Sequence, residues 1–131
     1  MIVTPFYAGL LALWFFVLSA RVMQRRQGGI WLGDGGDPRM LRVIRGHANF
    51  AEYVPLILLL MAMLELGRTS IYVLHALGIA LLAARLLHGY ALAFTDFFKF
   101  GRFVGAGLTM VVLLVAAVLC VLQGTRGMAL T

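Results

Sequence analysis

Charge is scarce in this chain. Of its 131 residues, 12% are charged and 63% hydrophobic, with a mean hydropathy of +0.98. Soluble domains carry about 25% charged residues, so the shortage excludes a soluble globular domain and implies an integral membrane protein. Acids are scarcest, five against eleven lysines and arginines. The resulting net charge of +6 does not point to nucleic acid. The basic residues fall mostly in two short segments beside apolar runs, as orientation signals do. Cysteine is nearly absent too. Cys120 alone excludes an internal disulfide framework and a cysteine-based metal site. It lies in the apolar run from Val111 to Leu122 with no base near it in sequence, and reads as a packing or lipid-facing residue. His75 has no partner at metal-ligand spacing, and no metal is expected.

What is present is four apolar stretches, at about 5–23, 45–66, 71–94 and 103–123. Each reaches about 20 helical residues, enough to cross roughly 30 Å of hydrocarbon. Only helices satisfy every backbone group there without closing a barrel. The expected fold is an all-α, four-helix integral membrane bundle, one domain over residues 1–131. A bundle this small has few interior positions, so oligomerisation is expected. The first stretch is no signal peptide by its charges, which follow the apolar run instead of preceding it. Arg21, Arg25, Arg26, Arg39, Arg42 and Arg45 flank or fill the first connection, and Lys99 and Arg102 the third, whereas the other side offers Arg68 and Arg126. The positive-inside rule then puts both basic segments in the cytoplasm and both termini outside.

The glycine-rich connector from Gln27 to Pro38 lacks the terminal Gly-Lys-Ser/Thr of a phosphate loop, no strand precedes it, and its aspartates miss calcium-loop spacing. It reads as a turn-rich link in which Asp37-Pro38 opens the second helix. Trp14, Trp31 and the phenylalanines from Phe97 to Phe103 read as interfacial anchors.

The informative string is Arg42-Val-Ile-Arg45-Gly-His47-Ala-Asn49-Phe-Ala-Glu52-Tyr53-Val-Pro55. The apolar part of the second helix, taken as Pro55 to Leu66, is only about 18 Å long at 1.5 Å per residue. Roughly eight more residues must lie at hydrocarbon depth. Asn49 and Glu52 are then inside the membrane and Arg45 is at its inner edge. Ionisable groups at that depth cost roughly 2.5–3.5 kcal/mol each and mark functional sites by default. Arg45, Asn49 and Glu52 share a stripe about 60° wide, bordered by Arg42 and Tyr53. His47 points elsewhere, toward packing or a subunit contact. Pro55 frees the carbonyl of Ala51 and predicts a local kink beside Glu52.

In the third stretch Arg85 and His88 share a face. Counted from the outer helix ends, Glu52 and Arg85 both lie about 21 Å down, which predicts that they pair. Asn49 matches His88 at about 26 Å. Arg102 falls near the level of Arg45, and Arg21 ends the first span. A buried Glu52–Arg85 pair and an Asn49 bridge would by themselves be ordinary structural devices. One acid among so many arginines instead calls for an anion. The spacing implies a small ligand with more than one carboxylate or phosphate, entering from the cytoplasm.

At these residues the sequence resembles the membrane-associated proteins in eicosanoid and glutathione metabolism, the MAPEG family. Arg45-x-His47-x-Asn49-x-x-Glu52-Tyr53-x-Pro55 looks like its second-helix signature. Arg85-x-x-His88 and Arg102 follow in the expected order, and Gly33-Asp34-Gly35-Gly36 looks like the small bacterial branch. The resemblance implies a homotrimer in the bacterial inner membrane, with glutathione as co-substrate between subunits near the cytoplasmic face. It implies glutathione transfer to lipophilic electrophiles, with peroxide reduction as a second reaction of the same thiol. By matched positions, Arg21, Arg45, Asn49, Glu52, Tyr53, Arg85 and His88 would bind glutathione, and Arg102 would act at the sulfur. Glutathione carries two carboxylates and one ammonium, which suits several arginines and one glutamate. Two positions depart from better-studied members. Leu92 stands where a tyrosine occurs, and Phe103 where one eicosanoid-forming member has a serine. Thiol activation is therefore left to Arg102.

Two other readings compete. A protein with this fold that binds another small anion or a partner without catalysis draws support from Leu92. A small four-span proton-coupled exporter matches in size. Such exporters typically carry their essential glutamate in the first span, which here has no acid before Arg21.

Overall fold

A computed structural model describes residues 2–129. Among them are four helices: α1, Val3–Arg26; α2, Pro38–Leu66; α3, Ile71–Ala93; and α4, Lys99–Met128. All four are long and apolar enough to cross a membrane. The first, second and fourth predicted stretches lie within their helices; the third helix ends at Ala93, one residue short of the predicted 94. α2 begins where Asp37-Pro38 predicts. Asp37 Oδ1 accepts from the Arg39 N–H at 2.9 Å, and Pro38 sits where its missing N–H costs nothing. α2 then runs through Pro55 to Leu66 without interruption.

α2 and α3 each contact every other helix, whereas α1 and α4 do not touch each other. The inner faces supply Leu11 and Leu18 from α1, Ile57, Met61 and Leu64 from α2, Leu74 and Leu81 from α3, and Ala116 from α4. Helices in lipid associate by close packing and interhelical bonds more than by the hydrophobic effect, and small residues permit the approach. Gly105 of α4 lies so near α3 that a Cβ there would sit 2.7 Å from the Ala84 carbonyl oxygen and 2.7 Å from the His88 Cβ. Gly78 similarly receives the Tyr7 ring, and the Tyr7 hydroxyl meets His75 Nδ1 at 3.0 Å.

The connector after α1 is turn-rich as its glycines predict, with positive φ at Gly29, Gly33, Gly35 and Gly36. The molecule has a basic end, holding that connector and the 94–98 loop, and an opposite end, holding the start of α1 and the 67–70 loop. At the opposite end the sequence reading needs correction. The segment from Pro55 to Leu66 is not purely apolar, because Glu65 lies in it. Its carboxylate accepts the N–H groups of Ile2, Val3 and Thr4, the last two at 2.8 Å. α1 makes no side-chain cap of its own. The first-turn donors that every helix leaves open are thus met by a carboxylate from α2, which also suits the helix dipole. The turn out of α2 closes with the Thr69 N–H on the Leu64 carbonyl at 3.0 Å, holding Arg68 at φ 60°. That left-handed conformation costs a non-glycine residue about 1–2 kcal/mol.

Candidate functional site

The buried stripe of α2 runs through Val43, Gly46, Phe50, Val54, Ile57, Met61 and Leu64. At 100° per residue, Arg45 and Glu52 lie roughly 150° from its centre, and Asn49 and Tyr53 lie on its flank. The polar stripe therefore exists as predicted, but most of it faces outward from the chain. Only its edge reaches the interior.

That geometry overturns the predicted Glu52–Arg85 pair. Glu52 Oε1 instead lies 3.8 Å from Arg45 Nη1 on its own helix, with both side chains at least half exposed. Arg85 meets Asn49, one turn nearer the basic end. Its Nη1 donates to Asn49 Oδ1 at 2.9 Å and to the Asn49 carbonyl at 3.4 Å. Depth counting placed the levels correctly within a turn, but depth alone carries no information on helix rotation.

Arg85 is the most unusual group in the chain. It is 1% exposed, and among the described residues it is the bulkiest fully buried side chain and has no carboxylate paired with it. Its Nε and Nη2 are buried and have no hydrogen-bond partner among the described residues. Leaving such donors unmet costs about 1–3 kcal/mol each, and more when they are charged. Beside it is a cavity of about 90 Å³, lined by Asn49, Tyr53, Arg85, Ala106, Thr109 and Met110. A water takes about 30 Å³ of liquid, so this space admits a carboxylate or a few waters but not a tripeptide. Trp14 Nε1 donates to the Arg85 carbonyl at 3.0 Å and its ring lies against Gly89. Trp14 is thus a packing residue between α1 and α3, not the interfacial anchor its residue type predicts. His88 is buried one turn on, against Gly105 of α4 and within electrostatic reach of Arg85 and Arg102.

The remaining predicted residues gather at the basic end. Arg21 Nε donates to the Ala93 carbonyl at 3.1 Å, and its guanidinium lies 5.1 Å from the Phe94 ring centroid. It shares a cleft with Arg25, Arg39, Arg42 and Asp96. Arg102 is exposed and lines a neighbouring cavity of about 170 Å³ with Arg42, Leu92, Asp96, Phe97 and Lys99. So Arg45 and Arg102 lie on the surface of the chain, and Arg85 alone of the three is buried. Leu92 packs under Gly46, where an added Cβ would meet its own Cβ at 3.1 Å.

Asp96 is the residue that sequence reasoning missed here. It pairs with Arg42 and lies 3.8 Å from Arg39 Nε, serving as the one acid among six cations around these two cavities. Its position in a short loop between a helix end and Lys99 was the available signal. His47 packs as expected, stacked on Phe15 with a centroid distance of 4.6 Å and 3.1 Å from Ser19 Oγ. Cys120 likewise packs, with Sγ 3.4 Å from the Leu60 carbonyl.

A model of the MAPEG family matches residues 4–122, nearly the whole chain. The chain belongs to the MAPEG family. The match covers α2 and α3 entirely, most of α1 and α4, and every residue of the site described above. The MAPEG chain is also similar to the inner membrane protein YecN of Escherichia coli K12. The two are 38% identical over 89 residues, which cover 67% of this chain and 68% of YecN. The YecN of E. coli O6:H1 matches to the same extent. Membership supports a membrane protein of the glutathione and eicosanoid family, while the name YecN specifies no reaction.

Proposed function

We propose that this chain is one subunit of a glutathione-binding membrane transferase that conjugates glutathione to lipophilic electrophiles, with peroxide reduction as a second use of the same thiol. The reading takes residues 1–131 as a single domain, a homotrimer as the assembly, and the bacterial inner membrane as the location. Both termini are then periplasmic and the site faces the cytoplasm.

The observation that carries this reading is Arg85, a buried cation that among the described residues has two unmet donors and no paired acid, with a small cavity beside it. A ligand carboxylate satisfies all three conditions, and guanidinium binds it in a two-pronged way. The cavity is too small for the rest of a tripeptide. What continues from it is the outward stripe with Arg45 and Glu52, on a face that runs on through exposed Leu56, Leu59 and Met63. An ion pair turned toward hydrocarbon is costly, and a neighbouring subunit laid over that face would shield it and complete the pocket. In this reading Arg85 takes one carboxylate, Arg45 and Arg21 serve the other, Glu52 the ammonium, and Asn49, Tyr53 and His88 the peptide groups and packing.

Glutathione supplies a thiol that titrates near 8.5 when free. A guanidinium beside the sulfur favours the thiolate, and Arg102, on the exposed start of α4 near His88, is the residue assigned to that task. The thiolate then bonds to the electrophilic carbon as the leaving group departs with the electron pair, and the thiol proton passes to solvent. A lipophilic electrophile arrives through the bilayer, where it is already concentrated.

Calorimetric titration of the purified protein with glutathione and an S-alkyl glutathione tests this directly. Both are expected to bind, with thiolate formation visible by ultraviolet absorbance for glutathione. Absence of binding at millimolar glutathione overturns the proposal. Equal binding of both without thiolate formation or turnover supports instead a MAPEG-fold anion binder without catalysis.

A further inference from the structure

A larger cavity lies at the opposite end from this site. It holds about 550 Å³ between the 67–70 loop and the end of α4. Arg68, Ser70, Gln123 and Arg126 supply its polar lining, and Leu119 and Leu122 its apolar wall. No acid lines it, and neither arginine has an ion-pair partner among the described residues.

Its frame is tied down. The Thr69 hydroxyl donates to Gln123 Oε1 at 3.1 Å and Gln123 Nε2 donates to the Met63 carbonyl at 3.2 Å, so one amide joins the loop, α2 and α4. Gly67 leaves the room that this amide occupies. The backbone also holds Arg68 in a left-handed conformation at the mouth, a conformation that surrounding structure must enforce.

The ends of membrane-length helices place this cavity at a lipid–water boundary, with two cations on its aqueous rim and leucines below. That combination matches an amphiphile with an anionic head and an aliphatic tail. We infer that the cavity is a binding site for the phosphodiester headgroup of an anionic phospholipid, held by Arg68 and Arg126 with one acyl chain along Leu119 and Leu122. Phosphodiester is favoured over a free anion because Leu119 and Leu122 form one wall of the cavity. This inference is independent of the glutathione reading and concerns no residue used there.

The test is native mass spectrometry of the full chain released from vesicles of mixed phosphatidylglycerol and phosphatidylethanolamine. Wild type is expected to retain phosphatidylglycerol preferentially. A basic residue near an anionic lipid surface contributes about 1 kcal/mol, or about fivefold in retention. Arg68→Asn keeps a residue that tolerates the left-handed conformation, and together with Arg126→Gln it should reduce the preference roughly twenty-five-fold if the effects add. Leu122→Trp, which fills the apolar wall and keeps both charges, should also lose the lipid. The double variant Arg25→Gln/Arg26→Gln, which removes equal charge at the basic end, should not. No preference in wild type, or a preference unchanged in the arginine double variant, overturns the inference. Displacement of the lipid by millimolar inorganic phosphate or glycerophosphoglycerol assigns the site to soluble anions and overturns the lipid assignment.

Discussion

Replacing Arg85 by methionine should leave the ligand-free protein as stable as wild type or more so, and should weaken glutathione binding by a factor of about 30 or more. Methionine keeps most of the buried length and removes the charge. Wild-type Arg85 Nη1 donates to Asn49 twice, to the side-chain oxygen at 2.9 Å and weakly to the carbonyl at 3.4 Å, together worth about 1.5–3 kcal/mol. Against this stand two buried donors without partners, costing about 1–3 kcal/mol each. The difference runs from neutral to roughly 3 kcal/mol in favour of the variant, in line with the general finding that hydrophobic replacements of buried charge are often tolerated. For a chain of this size, 1 kcal/mol moves the melting temperature by about 3–5 °C. The apparent melting temperature in detergent, followed by circular dichroism, should therefore hold or rise by up to about 15 °C. Loss of a buried charge pair with a ligand costs about 2–5 kcal/mol, so affinity should fall roughly 30- to 4,000-fold. Stability and binding should move in opposite directions. A large drop in melting temperature with glutathione affinity unchanged would refute the reasoning, because it would make Arg85 a structural residue already satisfied within the chain. Arg85→Lys should fall between, keeping the charge but losing the planar fork.

Arg102→Ala should lower conjugation of an aryl halide by 10-fold or more (about 1.4 kcal/mol per factor of ten) while leaving the calorimetric affinity for glutathione within a few-fold; equal losses in both would remove its assignment to the sulfur. Glu52→Gln should weaken glutathione binding, and in proteoliposomes neither it nor wild type should show substrate-dependent proton flux, whose presence in wild type and loss in the variant would favour an exporter. Glu65→Gln should destabilise the fold by about 1 kcal/mol and raise hydrogen exchange at the start of α1, with glutathione affinity unchanged. Gly105→Ala forces a methyl against the Ala84 carbonyl and His88 and should cost about 1–3 kcal/mol, read as a lower melting temperature.

Some of this is legible in the sequence. The spans follow from runs of apolar residues because lipid accepts little else, and the start of α2 follows from Asp37-Pro38 because capping is a local interaction. The set Asn49, Tyr53 and Arg85 was legible as chemistry. Its pairing was not. Residues that share a stripe by spacing can still point away from the bundle, and Glu52 does. Trp14 was misplaced for the same reason, since residue type indicates a preference for interfaces and not which neighbour a helix presents. Asp96 and Glu65 went unread because each acts across a gap of many residues, on Arg42 and on the first turn of α1.

The sequence by itself determined a four-helix membrane protein with polar residues concentrated toward one end, because hydropathy, charge placement and capping are written in neighbouring residues. Its second-helix motif also indicated the MAPEG family. Only the tertiary structure decided which of those polar groups are buried. Helix rotation is set by packing between distant segments, such as Gly105 on α3 and Gly46 on Leu92. That rotation turns Arg45 and Glu52 outward and leaves Arg85 inside with donors still to satisfy.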